Sequence, residues 1–120
     1  MTHGCKVFLI SDTGEKFFGR GPAELLELVD QLGSLHQAAS QMYLSYAKAL
    51  RILHAAEAGF GFPLVTRKIG GTCGGGSALT EAGREVLTRF RAYEAAVDKA
   101  AQAQFALCFP SQPNAPNSDQ

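Results

Sequence analysis

Tryptophan is absent from this 120-residue chain, methionine occurs twice, and no apolar run approaches the ~18 residues of a membrane span. The expected chain does not enter a bilayer. Cysteine is sparse and scattered. Cys5, Cys73 and Cys108 form no C-x-x-C pair and stand at no ligand spacing with histidine, which argues against a structural zinc site or a disulfide framework. With an odd cysteine count and no signal-peptide pattern, the expected setting is the reducing cytoplasm. Net charge is lacking too, with eleven Lys/Arg against eleven Asp/Glu, so overall composition does not point to a nucleic-acid partner. His3, His36 and His54 lie far apart and read as surface or helix-flank residues. No nucleophile–base pair or ligand cluster emerges, so the sequence predicts no enzyme, no metal and no cofactor.

What the chain does have is asymmetry. Residues 43–91 hold seven of the basic residues and three of the acids, while the remainder holds four basic residues and eight acids. Such a split is expected where one surface meets phosphate and another does not. Glycine is abundant, and Gly70, Gly71, Gly74, Gly75 and Gly76 fall inside seven residues.

In chain order, residues 5–19 predict a small hairpin, with the β-rich run KVFLI, a turn at 12–14 and a return over 16–18. A helical core is expected over 21–59. Pro22 suits a first helical turn. Leu25, Leu26, Leu28, Val29 and Leu32 form an apolar stripe, with Glu24, Glu27 and Asp30 outside it, and Gly33 ends the helix. Ser34 and Gln37 have capping-box spacing, followed by Leu35, Ala38, Ala39 and Met42 on one face. Ser45 predicts the N-cap of a third helix, with Tyr46, Ala49, Leu50, Leu53 and Ala56 inward and Lys48, Arg51 and His54 outward. Tyr43 and Leu44 alone separate the last two helices, which must therefore cross steeply. That crossing presents the start of the third helix outward, as in a helix-turn-helix reader of the major groove. An ordinary helical hairpin with a solvated basic face satisfies the same pattern.

Residues 63–79 read as a strand, a glycine-rich hairpin and a return strand, with Arg67 and Lys68 on the exposed side. A phosphate cradle lacks the G-x-x-x-x-G-K-[ST] pattern. A nucleophile loop around Cys73 lacks a neighbouring histidine. A wing laying backbone N–H groups against DNA uses both the preceding helices and the flanking cations; a merely permissive surface hairpin remains the alternative. Thr80 predicts the N-cap of a long helix over 80–108, striped by Val86, Leu87, Phe90, Tyr93, Ala96 and Val97. At about 1.5 Å per residue it spans roughly 42 Å, more than so small a domain covers, so a second copy of the chain is its expected partner. Residues 110–120 carry no apolar pattern and predict a disordered tail.

The runs GSLHQAASQMYLSYAKALRILHAAE, PLVTRK and GGTCGGGSALTEAGREVL, with FFGRGPAELLELVDQLGS upstream, resemble the N-terminal DNA-binding domain of ModE-type molybdenum-dependent transcriptional regulators. The likeness covers roughly residues 5–95. The LTEAG segment and the run around GFGFPLV are also similar to LysR-type winged helices. Leu50 stands where the ModE-type family often has a large aromatic. The resemblance implies a winged helix-turn-helix, mainly α with small β hairpins and a long C-terminal dimerisation helix. It also implies a dimer on double-stranded DNA. Its implication of DNA binding carries over to this length of chain; molybdate sensing stays open, and no effector is named.

The expected function is a dimeric regulator on a palindromic operator, linked to molybdate- or metal-related genes. Lys48 and Arg51 would reach base edges or nearby phosphates, and Ser45, Tyr46 and Ala47 would form the groove-facing start of the third helix. Arg67, Lys68, Gly71, Thr72, Gly74 and Gly75 would meet the backbone, and Ser34 would offer N–H groups to a phosphate. Two other functions stay open: a protein-interaction module on the same scaffold, and a thiol sensor acting through Cys73.

Overall fold

The computed structural model describes residues 1–68 and 76–111, Lys68 by its backbone alone. The described elements are β1 (Leu9–Ile10), β2 (Lys16–Phe18), α1 (Arg20–Leu32), α2 (Leu35–Gln41), α3 (Tyr46–Phe60), β3 (Val65–Lys68), β4 (Gly76–Leu79) and α4 (Glu81–Cys108). Two antiparallel ribbons, β1–β2 and β3–β4, flank three short helices and one long one. In the second ribbon Val65 pairs with Leu79 and Lys68 with Gly76.

α1 starts at Arg20, one residue before the expected helical core, with Pro22 in its first turn as expected. Gly19 is its N-cap, and the first helical bond runs from the Ala23 N–H to the Gly19 carbonyl at 3.0 Å. Pro22 then sits in the first turn, where N–H groups have no intrahelical acceptor and a missing donor costs nothing. α2 and α3 begin where their caps predict. The hydroxyl oxygens of Ser34 and Ser45 accept from the backbone N–H of Gln37 and Lys48, each at 3.1 Å.

The turn between α2 and α3 is a Schellman-type closure. Leu44 N–H bonds to the Ala39 carbonyl at 2.9 Å and Tyr43 N–H to that of Ser40 at 3.0 Å. Such a turn requires a left-handed residue, and here it is Tyr43, with φ 58°. Its side chain is 96% exposed, so no packing offsets that conformation.

The core joins every element. Phe18 is fully buried and meets Phe60 and Phe90 edge-on at 5.3 and 5.1 Å. Leu25, Leu26 and Val29 of α1 lie beside Leu35, Ala38 and Ala39 of α2, with Ala49, Leu53 and Ala56 of α3 in the same cluster. Small alanines on α2 and α3 let the backbones approach closely.

Leu64 is the pin between the helices and the second ribbon. It is fully buried and held from three sides. The Glu57 carboxylate accepts the N–H of Leu64 at 2.7 Å and of Val65 at 3.3 Å. Thr80 N–H donates to the Leu64 carbonyl at 2.9 Å, and the Thr80 hydroxyl donates to the Pro63 carbonyl at 2.8 Å. The same hydroxyl oxygen accepts from Gly83 N–H, capping α4. A Cβ on Gly83 would collide with the Leu64 carbonyl, standing 2.9 Å from its carbon. Glycine in the LTEAG segment is therefore dictated by this close approach.

α4 buries Gly83, Val86 and Phe90 and then runs largely exposed. β1 is shorter than the KVFLI run predicts. Its register is irregular at Leu9/Ile10, and the preceding residues lie along α4. The His3 ring stacks on Phe105 at 5.3 Å, and Arg20 donates to the Cys5 carbonyl at 3.4 Å. One strip of the distal half of α4 is thus covered by the chain itself. Phe18, by its burial, offers no surface to a partner.

Candidate nucleic-acid interface

α3 divides cleanly by face. Ala49, Leu53 and Ala56 are buried, while Ala47, Lys48, Arg51 and His54 are exposed. The Ser45 cap fixes the first turn, so Lys48 and Arg51 leave the helix one turn apart on its open side. Neither belongs to an ion pair among the described residues. Both cations are thus available to an outside anion.

Three other arginines of residues 43–91 are differently employed. Arg84 pairs with Asp30 at 3.0 Å, Arg89 with Glu85 at 2.9 Å, and Arg91 with Glu27 at 2.8 Å and Glu94 at 2.9 Å. Arg20 adds a longer contact to Glu94 at 3.6 Å. Burial would favour the neutral form of Arg91, but its hydrogen bonds to Glu94 and Glu27 outweigh that and hold the guanidinium charged more firmly than in water. The charge asymmetry of the sequence therefore overstates the open basic surface. Three of its seven cations clamp α4 or bridge along it, two of them to α1, and the open cations with described side chains are Lys48, Arg51 and Arg67. The complementary signal was readable, since Glu27 and Asp30 on α1 match Arg84 and Arg91, two turns apart on α4.

The second ribbon packs on α1 and α4 through β4 and faces the starts of α2 and α3 across a cleft. Ser77 N–H donates to the Gly33 carbonyl at 2.9 Å, fixing β4 against the end of α1. Arg67 on β3 is exposed. Ser34, Tyr46 and Arg67 come together around one polar cleft of about 270 Å³, joined by His36, Leu35, Gly76 and Ser77. Ser45 precedes Tyr46 as the cap, and Ala47, Lys48 and Arg51 lie on the open face of α3. Gly71, Thr72, Gly74, Gly75 and Cys73 lie outside the described residues, as does the Lys68 side chain.

His36 is an exposed residue in the first turn of α2, and its ring has a neighbour. Its ring lies flat on Tyr46, centroids 3.7 Å apart and planes 3° apart. The two stand ten positions apart in sequence, and the packing of α2 against α3 brings their first turns together. No group of three or more His, Cys, Asp or Glu side chains that could hold a metal occurs among the described residues. No described helix is long and apolar enough to cross a membrane.

The sequence profile of bacterial regulatory helix-turn-helix proteins of the lysR family matches residues 23–84, just over half of the chain. The molybdenum transport protein ModE of Azotobacter vinelandii is 37% identical over 79 residues, covering 62% of this chain and 29% of that protein. The molybdenum-pterin-binding protein MopB of Rhodobacter capsulatus is 34% identical over 91 residues, 76% of this chain and 33% of its own length. The chain thus spans about a third of these relatives. Among solved structures, a CbnR DNA-binding domain in complex with DNA superposes with a TM-score of 0.58 over 73% of this chain and 95% of that one, at 23% identity. That likeness establishes a shared fold, the winged helix.

Proposed function

Because the chain belongs to the lysR family of bacterial regulatory helix-turn-helix proteins, we propose that it regulates transcription by binding a palindromic operator as a homodimer. The observation that carries this reading is the open face of α3, where Lys48 and Arg51 stand exposed and unpaired among the described residues. An arginine on such a face recognises guanine through paired hydrogen bonds in the major groove. Ser45, Tyr46 and Ala47 form the groove-facing start of that helix, and Ser34, Arg67 and Lys68 serve the phosphates. The glycine-rich stretch, with Gly71, Thr72, Gly74 and Gly75, also serves the DNA backbone.

Dimerisation rests on α4. Tyr93, Leu107 and Phe109 are exposed by 46, 73 and 58%, and the N-terminal segment covers one strip of the helix only. A second copy joins two weak readers, so that the second engagement is nearly intramolecular and avidity rises by ~10²–10⁴. Two recognition helices related by a two-fold read half-sites about 34 Å apart. Both relatives are named for molybdenum, which makes genes of molybdenum handling the first targets to examine.

Selection of bound sequences from random duplex DNA tests the reading. Enrichment of a palindrome is expected. Absence of any enriched sequence would overturn it in favour of a protein-interaction module. Light scattering at micromolar concentration is expected to give the mass of a dimer, and a monomer that still binds a palindrome tightly would refute the dimer.

A further inference from the structure

The polar cleft between α2, α3 and the second ribbon has a composition that the recognition face alone does not explain. Its lining combines the Arg67 guanidinium, the His36 imidazole and the hydroxyls of Ser34, Tyr46 and Ser77, and it includes no carboxylate among the described residues. At about 270 Å³ it exceeds several times the ~30 Å³ share of one water. A concave site lined by one guanidinium and by hydroxyl-bearing side chains, with no acid to neutralise the charge, is chemically suited to a singly charged oxyanion.

Three separate parts of the chain supply these groups, and each is fixed by an interaction already described. Ser34 is the cap of α2. Ser77 is tied by its N–H to the Gly33 carbonyl. Arg67 is paired across the ribbon with Ser77. Tyr46 is the first residue of α3, where a ring would ordinarily have freedom to turn. The parallel stack of His36 removes that freedom. With the two rings nearly face to face, the imidazole occupies the space into which the Tyr46 ring would swing in a neighbouring rotamer.

We propose that this cleft seats one phosphodiester of the DNA backbone, with Arg67 as the charged donor, and that His36 is a positioning residue that holds Tyr46 against the seat. The proposal rests on the reading of the chain as a DNA-binding regulator. A phosphate seat at the start of α3 fixes how far along the groove the helix lies, and so sets the register in which Lys48 and Arg51 meet the bases.

The test uses the full chain and the duplex found by selection, with single phosphates replaced one at a time by neutral methylphosphonates. One position per half-site is expected to weaken parent binding about tenfold and to have almost no further effect on Arg67→Ala. His36→Ala is expected to lose about fivefold on selected and random duplexes alike, since phosphate contacts carry no sequence information. His36→Phe, which keeps a flat ring on Tyr46, is expected to bind like the parent. His36 is exposed, so these variants should fold.

The seat is overturned if every methylphosphonate position costs Arg67→Ala as much as it costs the parent. The positioning role is overturned if His36→Phe is as weak as His36→Ala. If inorganic phosphate alone shifts the His36 and Tyr46 ring resonances at submillimolar concentration, the cleft belongs to a free anion and the assignment to DNA fails. If no duplex binds at all, the regulator reading falls, and the seat falls with it.

Discussion

Replacing Gly83 by alanine opposes two effects of known size. Alanine is the better helix former by about 1 kcal/mol, and on propensity alone Gly83→Ala would stabilise α4. The structure reverses the sign. The added Cβ would overlap the Leu64 carbonyl oxygen and stand 2.9 Å from its carbon and 3.1 Å from its Cα. The obstacle is backbone, which cannot swing aside as a side-chain tip can. Leu64 cannot retreat easily either, because Glu57 and Thr80 hold its N–H and carbonyl. Overpacking of this kind costs roughly 1–3 kcal/mol, occasionally more, and separating the bonds around Leu64 adds to it. The expected net loss is about 2 kcal/mol in urea denaturation, and with ~4–8 °C per kcal/mol for a domain of this size, a fall in Tm of about 10 °C. Gly21→Ala is the control, since its Cβ meets nothing within 4 Å and its φ is not positive. There, a gain of up to about 1 kcal/mol is expected. A Gly83→Ala protein as stable as the parent would refute the argument that the Leu64 pin dictates glycine in the LTEAG segment.

Glu57→Ala strips the shared acceptor from two backbone donors and is expected to lose about 2–3 kcal/mol by denaturation. Glu57→Gln keeps an acceptor oxygen and should lose less than half as much; equal losses would show that the carboxylate is not acting as the acceptor. Tyr43→Gly relieves a left-handed residue and is expected to raise stability by about 1 kcal/mol, and a clear loss in a thermal melt would mean that the Tyr43 ring carries packing the structure does not show. Arg51→Ala is expected to weaken binding to the selected operator by about 1–3 kcal/mol while changing affinity for random duplex little. An equal loss on both would move Arg51 from base edge to phosphate.

The local chemistry of this chain was readable from short-range signals. Ser34, Ser45 and Thr80 cap their helices as expected, because a cap bond is made within four consecutive residues. The sides of α3 follow from periodicity for the same reason. What escaped was set by tertiary approach. Nothing in the spacing of Glu57 tells that its carboxylate reaches the N–H groups of residues 64 and 65. The His36–Tyr46 stack needs the crossing of two helices before either ring has a neighbour. The run KVFLI carries strand propensity through five residues, yet only Leu9 and Ile10 find a strand partner. The basic excess of residues 43–91 was visible as a count, but a count does not say which arginines are already paired within the fold.

The position of α4 also governs the order in which this protein takes shape. The turn from α2 into α3 closes over a handful of residues, whereas the ties of α4 to α1 span 54 residues for Arg84–Asp30 and 64 for Arg91–Glu27. Closing a longer loop costs more chain entropy before any contact repays it. The helical trio should therefore assemble first, leaving Phe18 without the Phe90 ring that covers it at 5.1 Å. During synthesis this interval is enforced, since α4 follows the trio out of the ribosome. Until it docks, a growing chain carries an aromatic patch open to the cell, and the final helix acts as the lid on that patch.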